Sequence, residues 1–275
     1  MKSDLQKVLR YFLHFDYEPS SEEIYTFFPK KIGRKRLVDY IDRTSRDTLG
    51  EYNEKFKVRS SKFKISLTKI ARVRRYLDFI SKFPQIRLIG LSGSVAMLNA
   101  NKNDDVDLFI VSARNRLWTA RFIANMAAWL YGLKRGRSEK RARNKICLNL
   151  FFSESHLKIS KKLRTEYMAH EVLQMMPILD INQTYRKFLS ENDWIHSFFP
   201  NVSLHRYLPC HSSTIKCIYN SGADSSFVHF GNVLEVILKK IQILYMAKPK
   251  GDERIEAGQL WFHPRDYSRI LKSKV

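Results

Sequence analysis

Apolar residues recur at helical spacing from the start of the chain: Leu5, Val8, Leu9, Phe12 and Leu13 share one face of residues 4–14 and predict a short amphipathic helix. Glu18-Pro19-Ser20-Ser21 breaks the pattern. Ser20 followed three residues later by Glu23 has the form of a capping box and predicts a second helix through Phe28. A third follows Gly33, with Leu37, Val38 and Ile41 on its buried face and Arg34, Lys35, Arg36 and Arg43 turned to solvent. Residues 49–58, LGEYNEKFKV, fit a small hairpin around Asn53. Three short helices and a hairpin follow the order of a winged helix, an order that many small helical domains share.

A basic stretch over residues 60–83 has a helical pattern and leads into the clearest strand, residues 86–91. A second strand over 106–111 follows a polar turn at 99–104, and a third over 146–152 follows a long helix and a basic loop. Strands alternating with helices predict an α/β sheet. From Lys161 onward the pattern is mainly helical, over 163–176, 185–199 and 228–246. Residues 251–275 have no clear period, although Trp261-Phe262-His263-Pro264 has the composition of an ordered packing element. The expected organisation is a winged-helix-like module over 1–60, an α/β domain over 61–160 and a mainly helical region over 161–275.

Composition changes this picture mainly through charge. The 275 residues are 44% hydrophobic and 28% charged, ordinary globular usage, yet the formal net charge is +22. Such an excess favours phosphate-bearing partners, whether nucleotides, nucleic acid or an anionic surface, unless it reflects a generally basic proteome. Cys147, Cys210 and Cys217 form no short-range pair, so neither a disulfide framework nor a zinc ribbon is expected and a reducing cytoplasm fits. The N-terminus lacks the uninterrupted apolar core of a signal peptide, and residues 117–133 contain Arg121 and Asn125, as a buried helix does more readily than a membrane span. A cytoplasmic location without a membrane partner is the expectation.

The candidate chemistry lies in residues 88–111, LIGLSGSVAMLNANKNDDVDLFIV. Alternation along a strand points Asp105 and Asp107 the same way, about 6.5–7 Å apart, while Val106, Leu108 and Ile110 turn inward. Two carboxylates on one face suit Mg²⁺ or Mn²⁺, and a pair of such ions can stabilise both oxygens of an in-line displacement. Gly93 lets the backbone approach a triphosphate, and Ser94 at the following helix start offers a hydroxyl and an N–H to phosphate oxygens. Taken singly, each feature is more often structural than catalytic. Three acids, Asp104, Asp105 and Asp107, ahead of an apolar strand are harder to dismiss, because like charges there repel unless cations or basic groups compensate.

A Gly-Ser pair, a spacer of roughly ten residues and two acids flanking an apolar residue resemble the signature of the DNA polymerase beta-type nucleotidyltransferase superfamily. The preceding FDYEPSSEEIY and the following RLWTARF extend that resemblance to uncharacterised prokaryotic nucleotidyltransferase-domain proteins with a winged-helix-like start, over roughly the first 155 residues. The resemblance implies a small mixed-sheet nucleotidyltransferase fold holding Mg²⁺ or Mn²⁺ and a nucleoside triphosphate at the sheet edge, with Asp105 and Asp107 as catalytic metal ligands and Gly93 and Ser94 as nucleotide contacts. Active members usually carry a third acid on a later strand, where this chain has Asn149 as the sole polar residue of ICLNLFF. An amide ligates a metal weakly and accepts no proton, so the general base has no evident owner; Glu154 is badly spaced for it.

Other candidates carry less. Residues 134–145 concentrate basic side chains that either clamp phosphate or are simply solvated, and Lys145, Arg116 and Arg121 are candidate phosphate contacts. Trp118 reads as core. The basic helix over 34–43 either enters a DNA groove or packs on a neighbour. The histidines show no metal-ligand spacing, and His170, between Glu166 and Glu171, reads as a helix-surface residue. The expected activity is transfer of a nucleoside monophosphate to a hydroxyl acceptor; the alternative is a catalytically weak nucleotide-sensing, DNA-binding regulator or antitoxin-like protein.

Overall fold

The computed structural model describes residues 1–44, 59–135, 143–204, 231–246 and 254–262. The hairpin expected at 49–58, most of the basic loop over 134–145, and His263 and Pro264 lie outside these residues. The N-terminal helices are α1 (Lys2–His14), α2 (Ser21–Thr26) and α3 (Arg34–Thr44), and a long helix α4 (Arg59–Ile80) precedes the sheet. Strand β1 (Ile86–Ser92), the one-turn helix α5 (Gly93–Ala96), β2 (Val106–Ser112), α6 (Leu117–Leu130) and β3 (Ile146–Ser153) form its centre. The remainder comprises α7 (Glu166–Gln174), β4 (Met176–Asp180), α8 (Thr184–Glu191), α9 (Gly231–Met246), β5 (Arg254–Glu256) and β6 (Gln259–Trp261).

The α/β class is as expected: six strands form one mixed sheet in the order β4-β1-β2-β3-β6-β5. β1 runs antiparallel to β2, whereas β2 and β3 are parallel, the α6 crossover supplying the connection that parallel neighbours require. Residues 161–275 contribute more than helices, for β4, β5 and β6 all come from them. The expected helix over 163–176 ends at Gln174, and Met176-Pro177-Ile178-Leu179-Asp180 pairs with β1 as an edge strand. An edge strand tolerates Pro177, which has no N–H to give to the ladder. Likewise the helix expected over 185–199 stops at Glu191; Asn192 turns its side chain back onto the carbonyls of Leu157 and Phe188, and a short 3₁₀ turn follows.

Both faces of the central strands are buried, which explains why they read as almost continuous apolar runs. Val106, Leu108 and Ile110 of β2 enter one core with α4 and α6. Phe109 and Val111 enter another, built from α1 to α3, α7 and α8. The N-terminal helices therefore share a core with residues 157–204. Asn201 reinforces this junction, donating to the carbonyls of Phe28 and Lys30 and accepting from the Ile32 amide. The capping box of α2 forms as expected, with Glu23 N donating to Ser20 Oγ at 3.2 Å and Ser20 N to Glu23 Oε2 at 2.8 Å; such a cap is worth about 1 kcal/mol. Arg34, Lys35, Arg36 and Arg43 of α3 are exposed.

His170 departs from expectation. It is 2% exposed, stacked on Tyr11 at 3.5 Å between ring centroids and on Phe27 at 4.3 Å, because α7 presents this side to α1 and α2 while Glu166 stays outside with Lys7. Its Nδ1 has no hydrogen-bond partner. Burial, with a smaller contribution from Lys7, holds the imidazole well below its usual pKa, so it is neutral in the folded protein. In the unfolded chain it takes up a proton as pH falls below about 6.5. The contribution to stability is thus full above that pH and is lost progressively below it. Between pH 7.5 and 5.5, denaturant unfolding should show wild-type protein losing about 1 kcal/mol more than His170→Phe, which keeps a ring in the stack; parallel losses would place the acid sensitivity elsewhere.

Candidate functional site

The antiparallel register sets Ser92, the last residue of β1, opposite Asp107. The chain must then turn sharply at Gly93, whose φ is +62°. A Cβ there would lie 2.8 Å from Asp107 Oδ2, so both backbone conformation and contact demand glycine. Ser94 donates its hydroxyl to Asp104 Oδ2 at 2.8 Å, and the same oxygen accepts from the Asn101 amide at 2.8 Å. Beneath this turn the buried Lys69 ammonium donates to the carbonyls of Asp104 (2.6 Å) and Lys102 (3.1 Å) and to Asn144 Oδ1 (3.1 Å). Its burial lowers the lysine pKa while neighbouring Asp104 opposes that shift. A single cation thereby fixes the loop that delivers the carboxylates.

Alternation along β2 places Asp105 and Asp107 on the side away from Val106 and Leu108. Parallel pairing sets Asp107 opposite Cys147, and the register slips after Leu108 and Leu148, leaving Asn149 beside the acids. Asn149 Nδ2 donates to Asp107 Oδ1, and Asn149 Oδ1 accepts from the Cys147 thiol at 2.7 Å. Donor atoms of Asp105, Asp107 and Cys147 all lie within 4.8 Å of one another. Arg135 Nη1 reaches Asp105 Oδ2 at 3.2 Å. Burial first, then the negative charges of Asp105 and Glu171, push Asp107 up to about 8 against the bonds from Asn149 and Cys147. Burial and the same two aspartates also push the Cys147 thiol up, with Arg135 opposing.

The cluster opens into a cavity of about 530 Å³. Its far wall is aromatic and comes from the N-terminal region, with Tyr11, Phe12, Phe15 and Tyr17, while α7 adds Tyr167, Glu171 and Gln174. The lining carries five carboxylates (Asp16, Asp104, Asp105, Asp107 and Glu171) and the Arg135 guanidinium. Burial also raises the Glu171 pKa, against a hydrogen bond from Tyr167. Gly93, Ser94, Asp105, Asp107 and Asn149 thus meet in one cavity.

Of the basic stretch 134–145, Arg135 joins them, but the individually named phosphate candidates do not. Arg116 donates to Asn232 Oδ1 at 3.0 Å and Arg121 to Gln242 Oε1 at 2.5 Å, so both secure α9 against α6. Lys145 donates to the Gly132 carbonyl, and Glu154 sits 3.6 Å from Arg87. None of the four lines the cavity. Cys147 was legible by the same alternation that marks Asn149. Arg135 belongs to the basic stretch 134–145 singled out in the sequence, whereas Glu171 and Lys69 carry no local signal, since long-range packing brings them in. Comparisons with protein-family models, curated proteins and solved structures find no match to this chain.

Two carboxylate groups and an amide fit a hard divalent cation, to which the thiol adds a softer donor. With a pKa of about 8, Asp107 holds a proton at neutral pH, and a cation coordinated there must displace it. Mn²⁺ affinity should therefore rise about tenfold per unit between pH 6 and 8 and level off above, with about one proton released per ion near pH 7. Calorimetry in two buffers of different ionisation enthalpy measures this directly. Affinity independent of pH over that range would show that Asp107 gives up no proton to the ion.

Proposed function

We propose that this chain is a metal-dependent nucleotidyltransferase that moves a nucleoside monophosphate from a nucleoside triphosphate to a hydroxyl acceptor. The supporting observation is the approach of the Gly93 turn to Asp107 across two adjacent strands, which joins a side-chain-free backbone, a carboxylate pair and a cavity of nucleotide size. Asp105 and Asp107 would hold Mg²⁺ or Mn²⁺, which when bound offsets triphosphate charge and stabilises charge developing in transfer.

The chain's own residues divide the remaining work. Gly93 admits phosphate oxygens close to the backbone. Ser94 would contact them only by giving up its bond to Asp104, so its hydroxyl is held oriented until a ligand arrives. Tyr11, Phe15 and Tyr17 provide flat faces on which a base can stack. The lining is acidic, so a triphosphate would enter paired with cations, and Arg135, which is bonded to Asp105, would reach its outer oxygens by exchanging that bond.

Asn149 favours a second reading, that of a nucleotide-sensing regulator. It stands beside the acids and donates to Asp107, where an additional carboxylate would complete a base. An amide cannot take the acceptor's proton, so binding would persist with slow or no turnover. The exposed basic face of α3 would suit DNA in such a regulator.

Incubation with labelled triphosphates and Mn²⁺, followed by a search for label on protein, RNA and small molecules, tests the two readings together. Asp107→Asn should abolish metal-dependent triphosphate binding; unchanged affinity in the folded variant removes the site assignment. Asn149→Asp should raise transfer by roughly 10²–10⁴-fold if the added carboxylate accepts the proton. It should also lower the melting temperature without metal and restore it with metal, since three acids then crowd together. Transfer and melting both unaltered by Asn149→Asp would separate residue 149 from the chemistry.

A further inference from the structure

We propose that Asp105, Asp107, Cys147 and the amide oxygen of Asn149 form a mixed oxygen and sulfur site that takes Zn²⁺ in preference to Mg²⁺. This rests on the reading that the two aspartates hold a divalent cation, and it goes beyond that reading in naming Cys147 as a ligand and the class of ion selected. Three of the donors already lie within 4.8 Å of one another, and the fourth, the Asn149 amide oxygen, lies 2.7 Å from one of them, the Cys147 sulfur, while Nδ2 of the same amide bonds to Asp107. Four donors from three ligand types match the tetrahedral preference of zinc. Mg²⁺ requires near-octahedral oxygen coordination and gains little from sulfur, whereas thiolate and carboxylate together follow the general order that places Zn²⁺ above Mn²⁺.

The hydrogen bonds around the cluster show how the change would proceed. Cys147 now spends its S–H on Asn149 Oδ1. When the ion binds, the Cys147 proton and the proton that Asp107 holds at neutral pH both leave to solvent, the S–H bond to the amide is lost, and Oδ1 becomes free to ligate. Nδ2 of the same amide keeps its bond to Asp107, so the side chain need not flip. Asp105 accepts from Arg135 through Oδ2, which leaves its other oxygen for the ion. Asn149 is 6% exposed, and the groups bonded to Asp107 are its neutral amide and the neutral Cys147 thiol, so the half-buried carboxylate is held within the cluster by uncharged donors.

The full-length protein tests this with metal ions alone. Titration with Zn²⁺ and Mg²⁺ should give Zn²⁺ affinity at least about 100-fold the higher, and Cys147→Ser should reduce Zn²⁺ affinity by at least about tenfold while leaving Mg²⁺ unchanged. Cd²⁺ serves as an ultraviolet probe: the thiolate-to-metal absorption in wild-type protein minus that in Cys147→Ser isolates Cys147 from Cys210 and Cys217. Cys147→Ala is a second variant, and metal-free melting confirms that each is folded. Unchanged Zn²⁺ affinity and a null Cd²⁺ difference in both variants would overturn the thiol ligand. If Asp107→Asn still abolished cation binding in that case, the carboxylate reading would stand alone. Were Asp107→Asn also without effect, or wild-type protein to bind neither ion, both would fall.

Discussion

A carboxylate buried against a glycine organises this molecule. A side chain at residue 93 would crowd the Asp107 carboxylate, with a Cβ 2.8 Å from Oδ2, and its positive φ favours glycine where β1 ends opposite Asp107. Burial then makes ionisation costly and the neighbouring Asp105 makes it costlier, which is why Asp107 retains its proton to about pH 8. The surroundings limit that cost without removing it. Asn149 and Cys147 bond to one another and the amide to Asp107, while Lys69 holds the preceding loop through three oxygens. Such an arrangement stores a local electrostatic penalty that a bound cation would relieve, so folding and ligation are linked through a few atoms at one end of the sheet.

The second core carries that local arrangement outward. Tyr11 packs on His170 from one side and lines the cavity from the other, and the next residue of α7, Glu171, adds its charge to the field at Asp107. Helices α1 and α7 are therefore both cavity wall and hydrophobic core. Anything that loosens the stack of Tyr11, His170 and Phe27 also shifts the aromatic wall relative to the aspartates. The neutrality of His170 matters for this reason: a charge between those rings would oppose the packing that shapes the cavity.

Local periodicity made much of this legible. Alternation placed Asp105 and Asp107 together, the family resemblance pointed to Asn149 on a later strand, which the structure sets beside them, and the Ser20 and Glu23 spacing marked a capping box that is present in full. What escaped was set by contacts far apart in sequence. Met176 to Asp180 reads as the tail of a helix until β1 is there to pair with it. Arg116 and Arg121 flank a tryptophan on a helix surface, as phosphate ligands do, yet α9 arrives from more than a hundred residues away. Its Glu235 accepts the Trp118 and Thr119 amides at the α6 N-terminus, and its Asn232 and Gln242 receive the two guanidinium groups. His170 sits between two glutamates and so looks solvated, although one of those neighbours faces Lys7 and the other the cavity.

Charge is distributed in opposite senses at the two scales. The chain as a whole carries +22, whereas the cavity lining is dominated by carboxylates. A strongly basic exterior draws anions toward the surface over about a Debye length, roughly 8–10 Å in ordinary salt. Close to the aspartates the sign reverses, and a bare polyanion would be repelled. A divalent cation would resolve the conflict, because an ion held as proposed by Asp105 and Asp107 would turn the innermost part of the cavity from repulsive to attractive while the outer field stayed favourable. On the proposed reading, selectivity for anions that arrive with a coordinating metal, over those that do not, would follow from the placement of five carboxylates around one cavity of a basic protein.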